Sequence, residues 1–565
     1  MFRPVSLLVL AAACALGAPA LAQNVDQSKI GPSVEQRSLY GAFLAGREAM
    51  REGDAQTGAQ LLVGAANTEP ADSLLRDRAF TAALIAGDVG SAARFAPPAT
   101  EPASPVRDLG RVTRAIEALS IGKGDALAEL SAPVAAPHHA AAMLLTPYAQ
   151  AAAGQWDKAT APHDADGERL VELLDRAARA QLLELHGQTA EAEVLYKGLA
   201  TDPFAAALYQ TSYGEFLERR GRWEDAIAFY NEAMKGPAAD AALVQARQRA
   251  LRHDRPPAAP DIRHGAAQAM SYASAAMGAG RQAELSLIYA YLALRLDPGL
   301  DQAYVFAGDA MVLAHNEAEA RAAWDKVRPG SGYYAEARLR TAYSFQRSGD
   351  IPAGLQALRM VMSAAPMNLQ AQYSYADLLQ THGDYAESAQ MLDKLVAEGG
   401  DRDWRVLFMR AGVRDKLGRW DEAKADLDAA IAIAPNEPDL LNYLGYNLID
   451  RGEDVPRGMS LVERAVAGRP NSGAMKDSLG WAHYRLGDYA KAVEVLEAAV
   501  LLDPSDAATN DHLGDAYWRV GRKDEAGFQW RRVLTLQAEA SLKASVEAKL
   551  RDGLKDAGET KRAGL

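Results

Sequence analysis

Apolar residues recur along most of this 565-residue chain with the spacing of amphipathic helices. From Ala267 to Glu539 the pattern repeats about every 34 residues, and the repeats begin near 267, 301, 335, 369, 404, 438, 473 and 507. The eighth and twentieth places of each repeat hold a small residue, such as Gly480 with Ala492. Small residues there allow two antiparallel helices to approach closely. Each repeat is therefore predicted to be a helical hairpin.

Glycine and proline mark the ends of these helices. The turn inside a hairpin needs a left-handed residue, which favours glycine, and glycines recur at that place: Gly349, Gly383, Gly418, Gly452, Gly487 and Gly521. Proline cannot continue a helix, so prolines predict the ends of the second helices: Pro298, Pro366, Pro435, Pro470 and Pro504. The period and the helix-ending residues agree.

The clearest repeats read DSLGWAHYRLGDYAKAVEVLEAAVLLDP and NDHLGDAYWRVGRKDEAGFQWRRVL. They resemble the tetratricopeptide repeat (TPR) family. The resemblance implies an all-α fold, in which antiparallel hairpins stack into a right-handed superhelical solenoid. It also implies that the first helix of each hairpin lines the concave side.

The repeat quality varies along the chain and predicts its division into parts. We expect a worn N-terminal block at 39–240, a proline-rich linker or elbow at 241–266, and a regular C-terminal block at 267–540. A plain surface loop inside one continuous superhelix is an alternative interpretation of the linker. A polar-faced helix at 541–558 is expected to cap the C-terminal block.

The first residues have the features of a secretory signal peptide. One positive charge at Arg3 precedes an apolar stretch, and Ala20 and Ala22 flank a small-x-small cleavage site. We therefore expect a signal peptide at 1–22, cleavage after Ala22 and a periplasmic mature chain without a thiol. The alternative is that Cys14 is acylated, which would attach the protein to a membrane, the outer membrane being the candidate.

Charge and candidate chemistry narrow the function. The net charge of -13 repels phosphate backbones and argues against nucleic-acid binding. The pair His138 and His139 follows Pro137, has no ligand at metal spacing and is expected in a solvated loop. Neither a nucleophile elbow nor a phosphate-binding loop occurs in the sequence. We therefore predict no catalytic residues, no metal site and no cofactor.

The second, fifth, ninth and twelfth places of each first helix are predicted to face the concave groove. The predicted partner-binding residues at or beside these places are Tyr343, Tyr373, Phe408, Asn442, Tyr446, Asp477, Trp481, Tyr484, Arg485, Asp511, Asp515, Trp518 and Arg519. Further polar side chains on this face are Asp309, Gln346, Asp377, Gln380 and Asp415. An acidic trough lined with rings suits an extended or helical segment of a partner protein. Alternatively, some of these rings pack against adjacent hairpins as ordinary core.

The run LNYLGYNLIDRG followed by DSLGWAHYRLGDY is similar to exported TPR proteins of the bacterial envelope. These include adaptors of a carboxyl-terminal-processing protease that acts on cell-wall hydrolases, so the resemblance implies a scaffold that brings a protease to its substrates. A subunit of an envelope export or assembly machine and a glycan-binding module are the alternatives. The groove places carry Asp and aromatic residues where the family's clamp for C-terminal carboxylates has Lys, Arg and Asn, which disfavours an acidic chain end as ligand.

Overall fold

The structure is a computed structural model that describes residues 38–122, 125–163, 167–235, 241–366 and 368–554. The described residues form α-helices with short connections and contain no strand. The predicted all-α class and the hairpin architecture are therefore confirmed. The predicted signal peptide, its cleavage site and Cys14 lie outside the described residues. The chain divides into two compact units, of which the first ends at Asn316 and the second begins at Glu317.

Sixteen helices are described in the first unit, and most of them pair with the next helix along the chain. Their bounds are α1 Leu39–Arg51, α2 Ala55–Thr68, α3 Ser73–Ile85, α4 Val89–Phe95, α5 Pro105–Ile121, α6 Ala126–Leu130, α7 His139–Ala152, α8 Trp156–Ala159, α9 Arg169–Leu185, α10 Thr189–Thr201, α11 Ala206–Arg219, α12 Trp223–Ala233, α13 Ala241–Leu251, α14 Ile262–Ala279, α15 Ala283–Leu296 and α16 Asp301–Leu313.

The region predicted as a linker is partly helical. Helix α13 lies within it and packs against α12 and α11, so that the irregular stretch is limited to 252–261. The following hairpin, α14 with α15, packs against α7 and α5 inside the first unit. The division into units differs from the predicted blocks, because it falls within the repeat that begins at 301. The repeat boundaries were predicted from the local sequence pattern, whereas the division into units depends on which helix faces pack together.

Fourteen helices are described in the second unit, where consecutive hairpins run from α18 to α29 and α30 follows. The bounds are α17 Glu317–Trp324, α18 Tyr334–Arg347, α19 Ile351–Ala364, α20 Leu369–His382, α21 Tyr385–Ala397, α22 Trp404–Lys416, α23 Trp420–Ile433, α24 Pro438–Arg451, α25 Val455–Gly468, α26 Gly473–Arg485, α27 Tyr489–Leu502, α28 Ala507–Arg519, α29 Lys523–Thr535 and α30 Ala540–Asp552.

The small residues lie where the paired helices cross most closely, as predicted. A Cβ placed on Gly480 would come within 2.5 Å of Leu496 Cγ, and one on Gly514 within 2.5 Å of Trp530 Nε1. Gly445 and Gly458 face each other across α24 and α25, and a Cβ on either would lie 2.8 Å from the other's carbonyl oxygen. Larger side chains at these places would push the helices of a hairpin apart.

The turn glycines adopt the left-handed conformation that the sequence predicts, with φ between 69° at Gly452 and 93° at Gly383. In the repeats that begin at 267 and 301 this place is held by Arg281 and His315, whose φ values are 57° and 60°. Each of the five predicted prolines stands two residues beyond the last residue of a second helix, as Pro504 does after α27.

Two local expectations are wrong. The C-terminal helix was predicted to reach 558 but ends at Asp552, because Gly553 has a left-handed φ of 76°; residues from 555 onward lie outside the described ranges. His138 is not solvated, because it is buried beside Tyr289, with 2.8 Å between His138 Nδ1 and Tyr289 Oη. No described helix is long and apolar enough to span a membrane.

Candidate partner-binding groove

We call the groove face the side of α18, α20, α22, α24, α26 and α28 that is formed by the second, fifth, ninth and twelfth places of their repeats. The seven predicted aromatic residues on this face are all partly buried. Asp309 lies outside the groove face, on α16 in the first unit. The groove face differs along its length in how many of its polar groups already have partners.

Trp481, on α26, already contacts side chains from its own helix and from two neighbouring first helices. Its ring is stacked between those of Tyr484 and His512, with centroids 4.7 Å and 4.2 Å away. Its Nε1 donates a hydrogen bond to Asp450 Oδ1 at 3.2 Å. Since α24 carries Asp450 and α28 carries His512, this ring holds three successive first helices together.

The two predicted arginines are also engaged with the preceding repeat. Arg485 Nη1 donates to the backbone oxygen of Asp450 at 2.6 Å, and Arg519 Nε donates to Tyr484 Oη at 3.2 Å. These contacts stabilise the stacking of neighbouring hairpins.

Asp477 is paired with His512 across the boundary between two repeats, with 2.9 Å between Asp477 Oδ1 and His512 Nδ1. Burial would lower the pKa of His512, but the carboxylates of Asp477, Asp511 and Asp515 together outweigh burial, and the pKa lies above its usual value. The protonated imidazole therefore neutralises this groove carboxylate over a wider pH range.

The last two predicted carboxylates are covered by α30. Lys549 Nζ lies 2.8 Å from Asp511 Oδ1 and 2.7 Å from Asp515 Oδ1, and all three side chains are largely buried. Trp518 packs beneath Gly553, where an added Cβ would come within 2.6 Å of the indole. Asp511, Asp515 and Trp518 are therefore occupied by the chain itself.

The middle of the groove face has a different character. Tyr343 Oη lies 2.8 Å from Ser374 Oγ, and the Phe408 ring packs edge-on against Tyr443 with centroids 5.6 Å apart. Asp415 accepts hydrogen bonds from Tyr443 and Arg451 at 2.9 Å and 2.6 Å. Tyr343, Phe408 and Asp415 therefore already have partners within the chain.

Other side chains in this middle stretch have no hydrogen-bond or ionic partner among the described residues: Gln346, Tyr373, Asp377, Gln380 and Tyr446. Asn442 Oδ1 is buried without a hydrogen-bond partner in the described structure. Burial and the nearby charge of Asp377 raise the pKa of Tyr373 to about 12. Burial also raises the pKa of Tyr446 to about 12, with contributions from Asp450 and Asp477. Both phenols are therefore neutral donors at physiological pH.

The pairing of polar side chains with the next repeat was not predicted from the sequence. Asp477 with His512, Asp450 with Arg485 and Tyr484 with Arg519 are each 35 residues apart. In the first unit, Glu184 and Arg219 have the same separation and bond at 2.8 Å. These pairs could have been found in the sequence by searching for a hydrogen-bond donor and an acceptor that are one repeat, or one repeat and one residue, apart. No group of His, Cys, Asp and Glu within the described ranges could hold a metal ion.

Comparisons with known proteins find the same repeat. Family models described as "TPR repeat" and "Tetratricopeptide repeat" match residues 480–521 and 339–403. The TPR repeat-containing protein PA4667 of Pseudomonas aeruginosa is 27% identical over 168 residues, which are 30% of this chain and 28% of that protein. The chain thus spans less than a third of the length of this curated relative.

Solved structures with low sequence identity are also similar to this chain. A structure titled as the APC/C hetero-tetramer Cut9-Hcn1 is 13% identical with a TM-score of 0.38, covering 92% of this chain and 97% of that one. A structure titled as YrrB, a TPR protein with an unusual peptide-binding site, is 17% identical with a TM-score of 0.28, covering 34% of this chain and 98% of that one.

Proposed function

Because this chain is a tetratricopeptide-repeat protein, we propose that it is a non-catalytic scaffold that captures a segment of a partner protein on the middle of its groove face. The observation that carries the proposal is the contrast along that face. Toward the C-terminal end its polar groups are paired by the next repeat or by α30, whereas Tyr373, Asp377, Gln380, Asn442 and Tyr446 have no partner in the described structure.

The chemistry of these groups suits a polypeptide backbone with side chains. A buried amide oxygen without a hydrogen bond carries an unfavourable desolvation cost, which a donor on a ligand would relieve. Tyrosine rings provide apolar contact area and a hydroxyl donor at the same time. An extended segment offers N–H and C=O groups at regular spacing, and a helical one offers side chains on one face. Either form of partner segment fits the proposal.

We test the groove assignment with a double variant, Tyr373→Ala with Tyr446→Ala. The purified chain is added to a cell-envelope extract, and the amount of partner protein that can be cross-linked to it is measured. Removing two central rings is expected to lower capture at least roughly tenfold, since an aromatic hot-spot residue at the centre of an interface contributes about 2 kcal/mol. Circular dichroism should keep its helical signal.

The matched control is Phe528→Ala, which removes a 64% exposed ring on the second helix α29. This control should capture partners as the unmodified chain does. Equal capture by the double variant and the control would reject the groove assignment. Enrichment of muropeptides instead of protein would favour the glycan-binding alternative, and stoichiometric export proteins bound by both variants would favour a machine subunit.

The proposal includes a periplasmic location and a protease with its envelope substrates as the partner class. It is supported by the signal-like sequence at 1–22 and by the resemblance of the last repeats to exported adaptors. Mass spectrometry of the protein from its native envelope tests the location. We expect a mature N-terminus at Gln23 in the soluble periplasmic fraction. An acylated N-terminal Cys14 in the membrane fraction would instead establish anchoring, and an intact Met1 would contradict export.

A further inference from the structure

The ninth place of each first helix forms a continuous series along the groove face of the second unit. It holds Tyr343, Asp377, Gly412, Tyr446, Trp481 and Asp515, and Lys549 of α30 follows at the corresponding spacing. Lys549 Nζ and Asp515 Oδ1 are 2.7 Å apart. In this pair, side chains at successive places of the series contact each other.

Gly412 interrupts this series. A Cβ placed on it would meet no other atom within 4 Å, so the space in front of α22 is open. This glycine does not lie at a close helix crossing, in contrast to Gly445 and Gly480. Its neighbours in the series are Asp377 on α20 and Tyr446 on α24. We call this open space the notch, and in the series it follows Asp377 as Lys549 follows Asp515.

Asp377 is a carboxylate without a counter-charge. It is partly buried, and no described residue forms an ion pair or side-chain hydrogen bond with it. Burial raises the pKa of Asp377, in keeping with a desolvated carboxyl group that lacks a cation. By contrast, Asp415, Asp477, Asp511 and Asp515 each have a basic partner from a later helix.

The next first helix, α24, carries groups that attract cations. Asn442 and Tyr446 lie one turn apart on α24, and Asn442 Oδ1 is buried without a donor in the described structure. An amide oxygen accepts hydrogen bonds from an ammonium or guanidinium group, and a tyrosine ring attracts a cation to its face. These features and the open space at Gly412 favour a basic side chain.

We propose that the notch at Gly412 is a socket for a Lys or Arg side chain of the captured segment, with Asp377 as its carboxylate partner. This inference rests on the proposed function, because it specifies which residue of a bound segment the groove face recognises. The basic residue of the partner segment would pair with Asp377 in the same way that Lys549 pairs with Asp515.

The socket can be tested without a partner by filling it. Gly412→Lys should place an ammonium group opposite Asp377, and Gly412→Met provides a matched chain of similar length without charge. We expect the melting temperature of Gly412→Lys to exceed that of Gly412→Met by at least roughly 2 °C. The difference should vanish when both are combined with Asp377→Asn. Equal melting temperatures in the native background would overturn the proposed geometry.

Recognition is tested with a library of random dodecapeptides displayed on phage and selected on the full chain. We expect peptides with Lys or Arg at one fixed position, and replacement of that residue by Gln should weaken binding about tenfold. Asp377→Asn should lose the preference, whereas Asp421→Asn, a substitution of an exposed carboxylate on α23, should keep it.

The outcomes separate the two proposals. Selected peptides that need Tyr373 and Tyr446 but show no fixed basic position would overturn the socket and leave the groove assignment intact. Failure to enrich any peptide that depends on those two tyrosines would count against the proposed function and the socket together.

Discussion

At the scale of single residues, the turn inside each hairpin is the most sharply constrained position. Gly487 has a φ of 83°, and a Cβ there would meet no atom within 4 Å, so the requirement for glycine is purely conformational. Arg281 has a φ of 57° at the equivalent place, where a side chain makes the left-handed conformation unfavourable. The same backbone turn is thus formed by residues with different conformational costs.

Exchanging these residues should change stability in opposite directions. Arg281→Gly is expected to increase the free energy of unfolding by up to about 1 kcal/mol, because it relieves the left-handed conformation, and Gly487→Ala to decrease it by about 1 kcal/mol. Denaturant melts followed by circular dichroism measure both. Two changes of the same sign would show that side-chain contacts, and not the backbone, determine this turn.

His138 illustrates what the sequence could not reveal about single residues. Its neighbours Pro137 and His139 suggest a loop, yet its ring is buried against Tyr289, 151 residues later in the chain. Sequence periodicity predicted the turn glycines because their environment is local and repeats. It could not predict His138, whose environment depends on one long-range contact in a worn part of the array.

Burial lowers the pKa of His138 to about 4, despite the opposing charge of Asp108. In the unfolded chain this histidine titrates near 6.5, so between these values the unfolded state binds a proton that the folded state does not. The free energy of unfolding should therefore fall by about 2 to 3 kcal/mol as the pH decreases from 6.5 to 4.

The prediction is tested by denaturant melts across this pH range. His138→Asn keeps a hydrogen-bonding group near the Nδ1 position and a residue suited to the N-cap of α7, but it cannot be protonated. The variant should lose most of this pH dependence. An unchanged slope would assign the dependence to other groups.

At the scale of the helical element, small residues determine how closely two helices pair. The sequence predicted these crossings correctly, because a small residue at two fixed places of every repeat has no other common cause than close approach. It predicted the groove face less well, since a helical wheel shows which side chains point away from the hairpin but not which the next hairpin covers. The wheel places Trp481 and Asp515 on the groove face, but a neighbouring helix covers each of them.

Two glycines that occupy adjacent places in different first helices separate close approach from helix propensity. In Gly445→Ala the new Cβ would lie within 2.8 Å of the Gly458 carbonyl oxygen, and we expect a loss of about 1 to 3 kcal/mol. Gly412→Ala enters open space within α22 and should gain about 0.5 to 1 kcal/mol from higher helix propensity. Urea melts of both variants distinguish these effects, and a stabilising Gly445→Ala would contradict the packing at that crossing.

At the scale of the whole molecule, the second unit is an array in which each hairpin depends mainly on its neighbours. The pairs that are 35 residues apart extend this dependence to the polar side chains. Each carboxylate at the C-terminal end of the groove face is neutralised by the next first helix or by α30. The series ends at α30, whose Lys549 supplies the last cation. The sequence predicted a capping helix but not that its lysine would reach the groove residues, since that requires the spacing between stacked hairpins.

Removing this cation should therefore loosen the array from its C-terminal end. Lys549→Met removes the ion-pair partner of the buried Asp511 and Asp515, which is expected to cost about 3 kcal/mol. In hydrogen exchange, amides of α28 and α29 should exchange markedly faster, those of α26 and α27 less so, and those of α20 at the original rate. Lys543→Met, on the same helix but away from these carboxylates, is the control. A uniform acceleration from α18 to α29 would show instead that the second unit opens as a single cooperative body and that its hairpins are not energetically separable.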